Sequence, residues 1–186
     1  LYAVRLNAAV DVEPGTYAFA SESWSFIGVR EEHRVQAVLV SLDDDRVIDG
    51  DAAFDLLNLM RSEGRDWVGA SEQVSATLAL ERLDLARRKL RARFARVRRV
   101  FESENEDRAR IQLGSIEQNF ERRSRAISDR IAGHVAAGRR PLEQADREQL
   151  RRLRAQADVQ REKVNSRLAF EASDQPLVEG LLRIGP

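Results

Sequence analysis

Apolar and polar positions alternate in the first fifty residues and recur at helical spacing through much of the remaining chain. Tyr2 to Val10 alternates in part and predicts a short strand. Val12-Glu13-Pro14-Gly15 predicts a turn, because proline fixes φ and glycine is free to take positive φ. Thr16 to Val29 is rich in aromatic and β-branched side chains (Tyr17, Phe19, Trp24, Phe26, Ile27, Val29) and predicts a second strand. Polar Glu31-Glu32-His33 suits a hairpin loop. Val35 to Leu42, VQAVLVSL, is the strongest strand signal. Asp43-Asp44-Asp45 turns the chain, and Val47-Ile48 adds a further short strand. Connections this short leave no room for crossover helices, so the pattern predicts an antiparallel sheet.

Helical periodicity begins after Asp51. Ala53, Leu56, Leu57 and Met60 share a face, with Asp51 as a candidate N-cap and Gly64 as the stop. Trp67 and Val68 fall in a connector, and Ser71 opens a long helix. Its stripe is Leu83, Ala86, Leu90, Phe94, Val97 and Phe101, confined to about 80° of arc at 100° per residue. A seam that narrow predicts packing against another long helix. Glu102 to Asp107 is wholly polar, a break or an exposed helical turn. A second stripe runs through Leu113, Ile116, Phe120, Ile127, Ile131 and Val135. Gly138 and Pro141 bracket a reversal. A last helix from Leu142 to Glu171 carries Leu150, Leu153, Ala157, Val164 and Leu168 at heptad-like steps. After a loop through Asp174 and Pro176, Leu177 to Ile184 reads as an apolar strand.

This order predicts an α+β fold: a small antiparallel β-rich base, a long antiparallel helical coiled-coil insertion, and a closing C-terminal strand that returns to the base. The expected boundaries are 1–70 for the base with its short helix, 71–172 for the coiled-coil arm and 173–186 for the closing strand.

Charge sharpens that division. The chain has 31 basic and 31 acidic residues, a net of zero. Residues 81–172 hold 24 basic and 15 acidic (+9), and the remainder holds 7 and 16 (−9). Opposite signs argue for two structural units. The absence of cysteine excludes disulfides and thiolate metal sites, and His33 and His134 stand too far apart for a His-rich metal site. No apolar stretch reaches about 20 residues, so no membrane span is expected. No secretory leader is visible, which suits a cytoplasmic protein. Leu1 in place of Met fits a fragment or a processed product.

Catalytic signatures are missing. GxxxxGK[ST], GxGxxG, GxSxG and HExxH do not occur. His134 reads as a histidine near a helix end, where a cation suits the dipole, and His33 reads as a loop residue. Asp43, Asp44, Asp45, Asp49 and Asp51 match an EF-hand only in part and lack its glutamate, so a solvated acidic turn is expected. No enzyme, metal or cofactor is expected in this chain. The best-defined feature is a basic run: Arg87, Arg88, Lys89, Arg91, Arg93, Arg96, Arg98 and Arg99, eight charges in thirteen residues with no acid. On a helical wheel they collar every azimuth outside the apolar seam. Such density draws phosphates by counterion release, without reading sequence; the competing reading pairs these charges with the protein's own acidic surfaces. Phe94 is the one aromatic within the run and faces the seam, so base stacking is not expected.

Several segments carry a family resemblance. Pro14-Gly15-Thr16 leads into an apolar strand, VQAVLVSLDDDRVID continues it, and AAFDLLNLM supplies the short helix. IQLGSIEQNFERRSRAISDRI and PLEQADREQLRRLRAQADVQREKVNSRL make two helical arms, and LVEGLLRI closes the chain. Together they resemble the C-terminal accessory region of bacterial Swi/Snf-type helicase-like ATPases of the RapA-like, RNA-polymerase-associated group. The resemblance implies a non-catalytic module of a duplex-DNA translocase. ATP and magnesium would be bound by an upstream ATPase core. The implied partners are that core, duplex DNA, and RNA polymerase or another protein. The alternative from the residues alone is a structural coiled-coil interaction module, unrelated to helicases, that dimerises through its arm.

Overall fold

The computed structural model describes residues 2–7 and 12–185; positions 8–10 of the first expected strand lie outside them. The fold is α+β. Its elements are β1 (Tyr2–Leu6), β2 (Gly15–Ile27), β3 (Glu31–Ser41), β4 (Val47–Asp49), α1 (Gly50–Glu63), β5 (Arg65–Asp66), α2 (Ala70–Gln73), α3 (Ala76–Ala136), α4 (Arg140–Ser166) and β6 (Glu171–Ile184). Two compact units form: Leu1–Phe26 with Glu32–Val100 and Ala172–Pro186, and Ile27–Glu31 with Phe101–Glu171. No helix among the described residues is long and apolar enough to cross a membrane.

In the first unit the strands order as β4-β3-β2-β6-β1-β5. The closing strand does return to the opening one. The pairing is parallel, Tyr2 level with Gly180 and Leu6 with Ile184, so the sheet is mixed and not antiparallel as expected. The reason is the connection: β6 arrives after a long helical excursion, which frees it from the geometry a tight hairpin imposes. At this pairing a Cβ on Gly180 would collide with the Tyr2 carbonyl oxygen, so the close approach of the two backbones requires glycine.

One core holds Leu6, Tyr17, Phe19, Leu39, Leu182 and Ile184 against Ala53 and Leu56 of α1. The helix stops at Gly64, whose N–H donates to the Met60 carbonyl. Asp51 lies in the first turn; Asp49 occupies the cap position and makes no side-chain capping bond. β3 begins earlier than expected, at Glu31, so His33 lies on a strand.

The expected narrow seam of α3 meets the sheet instead of another helix. Leu83, Ala86 and Leu90 are buried. Phe94 meets Trp24 edge-on at 5.4 Å and stacks on Phe26 at 5.7 Å. A sheet presenting large aromatics such as Trp24 and Phe26 buries such a stripe as well as a helix does.

The second unit contains the later part of α3, the turn at Gly138 (φ +67°), and α4 with Pro141 in its first turn. The polar stretch Glu102–Asp107 does not interrupt α3. Arg130 pairs with Asp146 at 3.0 Å and Arg161 pairs with Glu117, so contacts run in opposite order along the two helices. Leu153, Ala157 and Val164 are buried, but Leu168 and Val135 are exposed. Ile116 and Phe120 of α3 line a pocket of about 380 Å³ together with Leu153 and Ala157 of α4. The two helices form a helical hairpin.

Candidate nucleic-acid interface

The basic run lies on α3 within the first unit, and the fold divides it. Arg87 and Arg93 flank the buried stripe, about 60° to either side of its centre. Arg87 reaches the sheet: its Nε donates to Glu179 on β6 at 2.9 Å, and Nη1 donates to Asp84 at 2.8 Å. The hydrogen bonds with Glu179 push the guanidinium's pKa up, against the opposing effect of burial. The same bonds hold the Glu179 carboxyl below the usual carboxylate range. Arg93 approaches Asp49 at 4.0 Å, and Arg82, one turn before the run, pairs with Asp45 at 3.0 Å. Arginines beside the stripe thus fasten the helix to the acidic sheet.

The other six, Arg88, Lys89, Arg91, Arg96, Arg98 and Arg99, are exposed and form no ion pair among the described residues. At 100° per residue they occupy about 180° of arc opposite the stripe, along roughly 16 Å of helix axis. The helix holds this surface rigidly, because its other side is locked into the core by Leu83, Leu90 and Phe94. With Phe94 edge-on to Trp24 and stacked on Phe26, the surface offers charge and hydrogen-bond donors but no stacking platform.

The remaining candidate residues serve locally. Asp43 Oδ2 accepts from the Thr16 N–H at 3.3 Å, Asp44 accepts from Arg46 at 2.7 Å, and Asp45 holds Arg82. His134, in the last turn of α3, has Nε2 3.5 Å from Asp146. Hydrogen bonds from Arg130 hold the Asp146 carboxyl below its ordinary range. No group of three or more His, Asp or Glu side chains able to hold a metal ion occurs among the described residues.

Sequence reasoning missed the role of Asn105. It lies within the wholly polar stretch read as a break or an exposed helical turn, yet it is 5% exposed. Its Oδ1 accepts from the Val29 N–H at 2.6 Å, and its Nδ2 donates to the Arg167 carbonyl at 3.2 Å. Both partners are backbone groups far away in sequence, and no local pattern announces them.

Compared with models of protein families, with curated proteins and with solved structures, the chain matches none.

Proposed function

We propose that this chain is a non-catalytic module that holds duplex DNA by its phosphates through the outward face of α3. The observation that carries the reading is the division of the basic run: the arginines beside the apolar stripe are engaged by Glu179, Asp84 and Asp49, while six cations are exposed and form no ion pair among the described residues. Uncompensated positive charge on a rigid helix supports sequence-independent phosphate binding. The resemblance of its segments to Swi/Snf-type helicase-like ATPases makes such a translocase the machine it serves. There the module contacts duplex DNA, the upstream ATPase core or a partner such as RNA polymerase.

A mobility-shift titration of the whole chain against two unrelated duplexes tests the DNA reading. Both duplexes bind at low salt, and affinity falls steeply as salt rises. Charge reversal by Arg88→Glu and Arg99→Glu weakens both equally. No binding at low salt, or binding indifferent to salt, refutes the reading.

A second reading, a structural module that dimerises through its helical hairpin, is favoured by Ile111 and Val159, which are 72% and 65% exposed. Light scattering at micromolar concentration separates the two: a monomer mass excludes the dimer.

A further inference from the structure

Strand β1 lies between β6 and β5. Its Arg5 is level with Arg183 on β6 and with Arg65 on β5. Residues directly level on neighbouring strands stand on the same face, with Cβ atoms about 5 Å apart. Three arginines therefore form a row across one face of the sheet, over about 10 Å at the usual strand spacing. The core residues Leu6, Leu182 and Ile184 alternate with them onto the other face.

None of the three has a carboxylate partner among the described residues. Arg5 Nε donates to Asn7 Oδ1 at 3.1 Å. Arg183 donates to Gln73 Oε1, and its guanidinium lies 5.5 Å from the centre of the Trp67 ring. Arg65 and Arg5 are exposed and line a polar depression of about 700 Å³ together with Asn7, Ser62 and Glu63. Arg183 extends the row one strand further. Asp66 also borders the depression but is level with Val4, so its side chain belongs to the opposite face. Glu63, which lines the depression, pairs with none of the three among the described residues. Like charges directly opposite one another destabilise a sheet. Elsewhere in this protein Arg46, Arg82, Arg87 and Arg161 all find carboxylates.

We propose that the Arg65–Arg5–Arg183 row binds an oligophosphate chain, its oxygens accepting from neighbouring guanidiniums. Arginine presents a planar fork of donors that matches phosphate geometry. Three guanidiniums leave two gaps; one carboxylate fills one gap, while linked phosphates fill both and replace repulsion with attraction along the whole row. Trp67 is 8% exposed beneath Arg183 and has no free face for a base, so recognition rests on the phosphates. The proposal does not depend on DNA binding by α3.

Trp67 reports on the site. Titrating the whole chain with tripolyphosphate is expected to give a saturable change in tryptophan fluorescence and a rise in melting temperature. Pyrophosphate is expected to act more weakly and orthophosphate most weakly. ATP and GTP should match tripolyphosphate; a response to nucleotides alone overturns the assignment. Arg5→Gln, and separately Arg65→Gln on the exposed edge strand, should weaken binding about tenfold or more. Arg91→Gln with Arg98→Gln on α3 should leave the fluorescence response intact. The proposal fails if the wild-type fluorescence does not change, if both single variants keep the full response, or if the α3 variant loses it.

Discussion

The side-chain oxygen of Asn105 accepts the Val29 N–H at 2.6 Å, joining the β2–β3 turn to the middle of a 61-residue helix. The same amide donates to the Arg167 carbonyl beyond the end of α4. One buried polar side chain thus satisfies two distant backbone groups. Gly28 permits the approach: a Cβ there would collide with Asn105 Oδ1.

Asn105→Leu keeps the size but removes both bonds. It should destabilise the protein by about 2 kcal/mol, since each of the two part-buried hydrogen bonds lost contributes about 1 kcal/mol. Urea unfolding checks this. Gly28→Ala should also destabilise, because Asn105 must move to admit the methyl group. Wild-type stability in Asn105→Leu would remove Asn105 from its structural role.

The stripe on α3 docks the helix on the sheet. Leu90→Ala should cost about 2–5 kcal/mol, the usual range for emptying a fully buried leucine site. A cost below about 1 kcal/mol, the scale of an exposed position, would show that the stripe is not packed on the sheet.

Arg87 holds Glu179 below the ordinary carboxylate range, so the folded pKa is depressed relative to the unfolded chain. The pair's contribution is therefore present above the unfolded value of about 4.3 and is lost as pH falls through the folded value. Both side chains remain more than a third exposed, so screening holds the contribution to about 1 kcal/mol or less. Glu179→Gln should lower stability at neutral pH, and its difference from wild type should shrink as pH falls below about 4. A difference independent of pH would contradict the pairing.

Gly180 lies where β6 runs beside β1. Gly180→Ala would set a methyl group against the Tyr2 carbonyl, and the backbone has no flexible end that could yield. Hydrogen exchange should rise at the β1 and β6 amides before it rises at β3. Unchanged protection would argue against the parallel register.

Much of this fold was legible in the residues. The run of Val35 to Leu42, the stop at Gly64 and the Gly138–Pro141 reversal each carry a local signal, and each stands where that signal puts it. What depended on distant partners was not legible. The parallel β1–β6 pairing comes from a connection, not from a motif. The polar stretch around Asn105 imitates a solvated break because its partners, Val29 and Arg167, lie 76 and 62 residues away. The basic run was visible as a collar of eight. Only the positions of Glu179 and Asp49 divide it into the two charges that anchor the helix and the six that remain outward.

That division is tested most directly by the salt dependence of duplex binding. Each phosphate neutralised adds about 0.9 to the slope of log affinity against log salt, so six contacts give a slope near −5. Neutralising two outward charges, by Arg88→Gln with Arg99→Gln, should reduce the magnitude of the slope by about 2. An unchanged slope and affinity in that double variant would mean that the outward face of α3 does not hold the duplex.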